Sequence, residues 1–331
     1  MRAVLVKQPG DASQLTIGDY ETPTPSKTQV LVKVHCFALN RMDLLQRENK
    51  YPVPPGASPI LGVEVSGIVE SVGSDVYDFK PGDAVFGLIP GGGYAEYAVI
   101  EAALTMHKPD ALSFEEAAAI PETWFTAYQA LFFVAEFKKG QDVLIHAGAS
   151  GVGIAAIQLA KYFGANHIFV TVGSDEKVKF CEELGATKAV NYKTQNWSEV
   201  ILKETDNKGV DIVIDFIGKN YWNQNMQVLG LDGHMVILAY MSGTMVENFD
   251  ISVMLRKRLR IEGSALRSRT VEYQRKLRDA VYDQVVKEHF AEENGGLKIY
   301  VDKVFDWKDI GNAHRYLESN QSMGKIIVKV T

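Results

Sequence analysis

The run V-L-I-H-A-G-A-S-G-V-G, residues 143–153, constrains this chain more than any other stretch. Val143–Ala147 is a short apolar run of β type. A tight glycine turn follows, and then Val152, Ala155, Ala156, Leu159 and Phe163 recur near helical spacing, which predicts a buried helix over Val152–Phe163. Strand, glycine turn and helix in that order let the backbone approach a pyrophosphate. The helix N-terminus then offers free N–H groups and the positive end of its dipole. Against the pattern G-x-G-x-x-G, Gly148 and Gly153 fit, whereas the middle position is Ser150, with Gly151 next to it. Ser150 adds a hydroxyl donor. Gly148, Ser150, Gly151, Val152 and Gly153 are therefore candidate cofactor contacts, set against a plain β–α turn that holds nothing.

At 331 residues the chain has room for two domains. Residues 1–120 are rich in short β-type runs such as Val30–Val34, Val63–Val69 and Ala84–Leu88, punctuated by Pro81-Gly82-Asp83 and by Pro90–Gly93, which reads as a hairpin turn. From about Pro121 apolar strands alternate with helical patterns. The strand candidates are Val143–Ala147, Ile168–Val172, Ala189–Tyr192, Val210–Phe216, His234–Ala239 and Leu259–Ala265. Such alternation implies an α/β domain with a doubly wound parallel sheet. The last stretch turns mixed again: a helix near Val271–His289, strands at Ile299–Phe305 and Lys325–Val330, and a helix between them at Asp309–Glu318. This segment is expected to fold back onto the first domain.

Composition removes several functions. A net charge of -6 argues against a broadly nucleic-acid-binding surface. No stretch is long and apolar enough to span a bilayer, and M-R-A-V-L-V-K-Q-P-G reads as an edge strand and turn rather than a signal peptide. Two cysteines, Cys36 and Cys181, do not make a disulfide framework. A cytoplasmic protein is the expectation.

The second strand of the α/β domain selects the dinucleotide. In folds that bind NAD an acid after that strand takes the ribose 2′-hydroxyl. Here Ile168–Val172 runs into Gly173 and Ser174, not an acid. A 2′-phosphate finds space at Gly173, a hydroxyl at Ser174, a cation at Lys177 and a phenol at Tyr192, which favours NADPH. The bland alternative makes Lys177 a solvated helix residue, and Asp175 stands close enough to take over the ribose. The ends of the later strands, Ile217-Gly218, Ala239 to Met241 and Leu266-Arg267-Ser268, belong at the carboxyl edge of the sheet, where ligands bind in open α/β folds.

Further motifs are dispersed and in order: A-L-N-R-M-D at 38–43, V-P-P-G-A-S at 53–58, L-G-V-E-V-S-G-I-V-E-S-V-G at 61–73, K-P-G-D-A-V-F-G at 80–87, L-I-P-G-G-G at 88–93, A-A-A-I-P at 117–121, L-R-S-R at 266–269 and G-K-I-I-V at 324–328. With H-A-G-A-S-G-V-G they resemble the medium-chain dehydrogenase/reductase superfamily, and within it the zinc-free quinone oxidoreductases. The resemblance runs through nearly the whole chain. It implies a β-rich GroES-like catalytic domain, residues 1–121 with 268–331, and a Rossmann-type dinucleotide-binding domain, residues 122–267. It also implies NADPH as cofactor, a small quinone or other electrophilic acceptor as substrate, and a homodimer whose cofactor domains pair edge to edge around His234–Ala239 or Leu259–Ala265.

The same resemblance assigns roles. Zinc-dependent members carry a catalytic cysteine where this chain has Asn40 and a histidine where it has Val63, and they need four further cysteines for a structural zinc. No metal is expected. His35 and Cys36, adjacent in a strand, point to opposite faces. Tyr51, in N-K-Y-P-V-P-P-G, corresponds to a tyrosine beside nicotinamide and substrate, where its phenol can donate a proton to a reduced oxygen. Without the resemblance it is a half-buried loop residue. Asn40 can orient a carboxamide or a substrate oxygen, or simply end a strand. Lys325 resembles a lysine near the cofactor, or is a charge flanking a strand. Thr126 completes the candidate cofactor contacts. Two other functions stay open: reduction of an activated C=C bond in an enal, enone or enoyl thioester, and a crystallin-like or RNA-binding protein that merely retains NADPH. The basic run Arg256-Lys257-Arg258-Leu259-Arg260 is the one feature favouring the last.

Overall fold

The computed structural model describes residues 1–291 and 296–331. Two compact units emerge: Met1–Phe125 with Arg267–Thr331, and Thr126–Leu266. The sequence puts the junctions at 121/122 and 267/268, whereas the contacts assign Glu122–Phe125 and Arg267 to the β-rich unit.

The first unit begins with strands β1 (Arg2–Val6), β2 (Leu15–Asp19) and β3 (Gln29–Ala38), helix α1 (Arg41–Arg47), strands β4 (Glu64–Val72), β5 (Ala84–Leu88), β6 (Tyr97–Glu101) and β7 (Thr105–His107), and helix α2 (Phe114–Ala118); the boundary between the units falls within α3 (Pro121–Tyr128). In β3 the valines Val30, Val32 and Val34 are buried while Lys33 and His35 are exposed, the period-two alternation of a strand with one face on the core. Cys36 is buried, so it and His35 do face apart. Pro90–Gly93 is not a hairpin turn. Strand β5 pairs with β4 and β7, but β6 pairs with β3. The segment therefore links strands that are not neighbours. Gly92 and Gly93 donate their N–H groups to the carbonyls of Ile60 and Gly62, at 2.8 and 3.1 Å.

The second unit runs β8 (Val143–Ile145), α4 (Gly151–Tyr162), β9 (Ile168–Val172), α5 (Asp175–Leu184), β10 (Lys188–Asn191), α6 (Trp197–Glu204), β11 (Val210–Asp215), α7 (Trp222–Val228), β12 (Leu229–Ile237), α8 (Ser252–Lys257) and β13 (Arg260–Gly263). All pairings are parallel, in the order β10-β9-β8-β11-β12-β13. This is the doubly wound order, with chain direction across the sheet reversing between β8 and β11. Strand β12 starts before the expected His234 and stops before Ala239. It lies between β11 and β13 and is not an edge; β13 is.

The chain then returns to the first unit with α9 (Val271–Val281), β14 (Val301–Asp306), α10 (Ile310–Glu318) and β15 (Lys325–Lys329). The long helix expected over Val271–His289 is α-helical only to Val281 and continues as a π-helical segment, Tyr282–Phe290. Strand β15 pairs antiparallel with β3, which adds β14 and β15 to a seven-stranded sheet. Trp307, fully buried, anchors this return in the core with Ile310, Ile326 and Val328.

Candidate functional site

In the second unit the turn between β8 and α4 is built for close approach. Gly148 donates its N–H to Thr171 O at 3.1 Å, tying the turn to β9. A Cβ at Gly153 would lie 2.5 Å from Ala147 O and 2.6 Å from Gly148 O, so only glycine lets α4 begin this tightly against the turn. Ser150 is the N-cap: its Oγ accepts from Gly153 N–H at 3.1 Å. The hydroxyl proton is still available to donate. Gly151 and Val152 supply the first N–H groups of the helix, which have no carbonyl one turn back to bind. These features fit a phosphate or pyrophosphate.

The neighbouring edge, at the end of β9, carries the residues that the sequence reading assigned to a 2′-phosphate. Ser174 caps α5 by accepting from Lys177 N–H at 3.3 Å. A Cβ at Gly173 would stand 2.7 Å from Tyr192 Oη, which places the phenol over the glycine. Asp175, the acid that competes for the ribose, accepts from Asn191 Nδ2 at 2.8 Å. Beyond β11, Ile217 and Gly218 donate their N–H groups to the fully buried Asp215, at 2.9 and 3.1 Å. Met241 N–H binds Phe216 O at 3.1 Å, and Ser242 N–H binds Ile217 O at 2.8 Å, so the segment after Ala239 lies against the end of β11. Leu266 is buried. Thr126 Oγ1 is buried and has no hydrogen-bond partner among the described residues.

The basic run does not form a free surface patch. Lys257 Nζ donates to the carbonyls of Met226, Gln227 and Leu229 at 2.9, 2.8 and 2.6 Å. Arg258 forks onto Asp232 with two bonds of 2.6 Å, and Arg260 reaches Glu136 at 3.1 Å.

The first unit holds a buried polar network that the sequence does not announce. Lys325 is no solvated flanking charge: at 6% exposure its Nζ donates to Leu39 O at 2.9 Å, Asn40 Oδ1 at 2.8 Å and Glu64 Oε1 at 2.6 Å. Asn40 Nδ2 donates to the same Glu64 oxygen at 2.8 Å. Asn40 is also the N-cap of α1, and its N–H binds Asp43 Oδ2 at 2.8 Å. Asp43 takes further donors from Tyr94 Oη, at 3.1 Å, and Gly62 N–H, at 3.3 Å. Burial pushes its carboxyl up to about 6, against the pull of those donors. His314 bridges Tyr94 Oη and Arg47 at 3.2 and 3.1 Å, and burial drives it down to about 3.

Tyr51 and Arg267 come together in this unit. The guanidinium carbon lies 5.5 Å from the Tyr51 ring centroid. Arg267 is fixed by bonds from Nε to Pro90 O, 2.8 Å, and from Nη1 to Gln46 Oε1, 2.9 Å, while its buried Nη2 has no hydrogen-bond partner among the described residues. Ser268, next to it, is exposed.

The metal positions hold other chemistry. Asn40 is spent on Lys325 and Glu64, and Val63 is a buried aliphatic. His146 is held by Thr171 Oγ1 and Asn225 Oδ1 at 2.8 and 2.7 Å. Both cysteines are buried, with thiols pushed up to about 12 by burial. Among the described residues no group of three histidine, cysteine or acidic side chains is placed to hold a metal, and no helix is long and apolar enough to cross a membrane.

Glu64, Glu122, Asp43 and Asp215 escaped the sequence reading. The signal for Glu64 was its place inside the otherwise apolar L-G-V-E-V-S-G.

Known proteins share this architecture. A family model described as an alcohol dehydrogenase GroES-like domain matches residues 26–110, and one described as a zinc-binding dehydrogenase matches residues 151–282. The chain is 30% identical to a quinone oxidoreductase of Rattus norvegicus, over 99% of this chain and 97% of that protein. The structure of Escherichia coli quinone oxidoreductase complexed with NADPH aligns over 100% of both chains with a TM-score of 0.87 and 28% identity. CurK enoyl reductase aligns over 100% of this chain and 99% of its own, with a TM-score of 0.87 and 27% identity.

Proposed function

The chain belongs to the medium-chain dehydrogenase/reductase superfamily, in its quinone oxidoreductase family, and we propose that it reduces small quinones with NADPH and without a metal. The observation that carries this is the edge beside β9. There Asp175 is engaged by Asn191, the phenol of Tyr192 lies over Gly173, and Ser174 caps α5 through Lys177 N–H; Gly173, Ser174, Lys177 and Tyr192 would take the 2′-phosphate. Gly148, Ser150, Gly151, Val152 and Gly153 would hold the pyrophosphate. Ile217, Gly218, Ala239, Met241, Leu266 and Thr126 would hold the rest of the cofactor. NADPH, when bound, supplies the hydride.

The protein's own work is then placement and one proton. Tyr51 donates that proton to the reduced oxygen. The Arg267 guanidinium over its ring favours the negative charge that develops on the phenol oxygen as the proton leaves. Asn40, held on both sides by Lys325 and Glu64, is a fixed amide rather than a metal ligand. An acceptor that is already electrophilic needs no Lewis acid.

A second reading, reduction of an activated C=C bond, is supported by the full-length similarity to CurK enoyl reductase. A steady-state screen with NADPH against ortho- and para-quinones, enones and enoyl thioesters separates the two, run with and without a chelator. Quinone turnover that survives chelation is the expected result. Turnover confined to enoyl thioesters, or abolished by chelation, would overturn the proposal. In Tyr51→Phe the chemical step is expected to slow by roughly 10²–10⁴-fold, the range for general acid catalysis.

A further inference from the structure

Four polar side chains without a part in the proposed proton transfer are buried in one line in the β-rich unit. Arg47 and Asp43 come from α1, His314 from α10 and Tyr94 from the link between β5 and β6, and none is more than 1% exposed. The line runs from Arg47 Nη1 to His314 Nδ1 at 3.1 Å, from His314 Nε2 to Tyr94 Oη at 3.2 Å, and from Tyr94 Oη to Asp43 Oδ2 at 3.1 Å. Its direction is fixed by its ends. A guanidinium only donates, and an ionised carboxylate only accepts. Asp43 already takes two backbone N–H groups, from Asn40 at 2.8 Å and Gly62 at 3.3 Å, which suits the ionised form. So His314 Nδ1 accepts from Arg47, the one proton of the neutral ring sits on Nε2 and goes to Tyr94 Oη, and the phenol proton goes to Asp43. The line is not a proton wire, because a guanidinium closes its outer end and does not give up a proton. Arg47 is itself held there by Glu318 at 2.6 Å, Glu48 at 3.1 Å and Gly10 O at 2.8 Å. The inner end is the start of α1. There Asp43 holds the Asn40 N–H, while Lys325 and Glu64 hold the two ends of the Asn40 amide. Apolar side chains would fill the same space without losing hydration, so the line sets position better than it adds stability.

We propose that His314 is a positioning residue for acceptor reduction: through Tyr94 and Asp43 it fixes the start of α1, and with it the direction of the Asn40 amide. Only one tautomer serves. A proton on Nδ1 would face the Arg47 donor, and Nε2 would then draw the phenol proton of Tyr94 away from Asp43. Asp43 would keep its two backbone donors and lose the side chain that orients its Oδ2, the oxygen on which the Asn40 N–H rests. The effect on turnover rests on the reductase reading above; the tautomer and the placement of Asn40 do not.

The test uses the full chain, first without ligand and then in turnover. Ring nitrogen NMR at neutral pH, with the His314 signals identified by their loss in His314→Gln, is expected to show a neutral ring protonated on Nε2. Tyr94→Phe removes only the hydroxyl and keeps the ring stacked on Phe37, with centroids 4.2 Å apart. It is expected to shift the backbone N–H and side-chain amide signals of Asn40, the latter assigned with Asn40→Ser. His314→Phe, which loses both bonds, should shift them the same way. His314→Gln, whose amide can accept from Arg47 and donate to Tyr94, should restore them. In quinone turnover at a temperature where each variant is folded, Tyr94→Phe and His314→Phe are expected to lower kcat by about tenfold or more, with the KM for NADPH changed by less than about twofold and His314→Gln within about threefold of the wild type. Should His314→Phe fail to fold, Tyr94→Phe carries the same test. A charged ring, or one protonated on Nδ1, overturns the proposal. So do Asn40 signals that stay still in Tyr94→Phe, and so does a folded Tyr94→Phe with wild-type kcat. Should neither quinones nor enones turn over in the wild type, the reductase reading fails by itself, and the tautomer with the Asn40 shifts still supports the hold of His314 on Asn40.

Discussion

Replacing Lys325 by methionine should destabilise the β-rich unit far more than the loss of an ordinary lysine. Its side chain is 7% exposed, its Glu64 partner is 0% exposed, and the Nζ–Oε1 separation is 2.6 Å. Methionine fills most of the volume, so packing changes little. What changes is that Glu64 keeps only Asn40 Nδ2 and Glu122 N–H as donors and has no cation left beside it. Leu39 O and Asn40 Oδ1 also lose their donor. Stranding one partner of a buried pair typically costs about 3–5 kcal/mol, against roughly 0–1 for an exposed pair. Urea unfolding followed by tryptophan fluorescence should show the midpoint falling by about 1–1.7 M if m is about 3 kcal/mol/M, with m unchanged. Adding Glu64→Gln removes the stranded charge, and the double variant should recover more than half of the loss. A Lys325→Met loss under about 1 kcal/mol refutes the reasoning, as does a double variant no more stable than the single one.

Other predictions follow from the second unit. Lys177→Ala should weaken NADPH by about 1–3 kcal/mol, the scale of a hydrogen bond to a charged group, and leave NADH nearly unchanged, as read by fluorescence titration; equal wild-type affinity for the two cofactors would count against the 2′-phosphate site. Gly153→Ala sets a methyl 2.5 Å from Ala147 O, so it should lower the unfolding free energy by about 1–3 kcal/mol and weaken both cofactors together. Sedimentation at micromolar concentration should give a homodimer, because β13 is a short edge strand whose outer backbone pairs with no strand among the described residues; the mass of one 36.7 kDa chain would contradict this.

The elements legible in the sequence were those whose signal is local. Ala84–Leu88 and Ile168–Val172 are strands with the very bounds their apolar runs suggest, and α4 starts one residue before Val152 because Ser150 caps it. Pro90–Gly93 was misleading for the opposite reason. Its turn chemistry is visible locally, but whether a turn closes a hairpin depends on which strands pair, and β6 crosses to β3. The same holds for the network. Lys325 lies 261 residues from Glu64, so as sequence it is a charge at the mouth of a strand. Glu64 sits between two valines in a strand that otherwise looks half-exposed, and alternation would turn an acid there outward. Its partners lie on α1, α3 and β15, and no periodicity reports them. The cofactor side was easier to read because a glycine turn needs its glycines within one loop.

A network of this kind is a poor stabiliser, which bears on why it exists. Two buried ions joined at 2.6 Å give up their hydration, and replacing such a pair with apolar residues of similar volume is often neutral or favourable by about 1–4 kcal/mol. If Lys325, Glu64 and Asn40 were present only to hold the unit together, the triple variant Asn40→Leu, Glu64→Met, Lys325→Met should fold and work. If they fix an amide for chemistry, the variant should fold, within about 2 kcal/mol of the wild type, and lose function. Loss of Asn40 also removes the N-cap of α1, worth about 1 kcal/mol, which falls inside that margin. We expect the second outcome: cooperative unfolding near the wild-type midpoint, NADPH binding retained by the separate glycine turn, and kcat/KM for quinones lower by at least about 10²-fold, the scale of losing one preorganised donor. A folded triple variant with wild-type turnover would leave the network without a role in reduction and return Asn40 to being a helix cap.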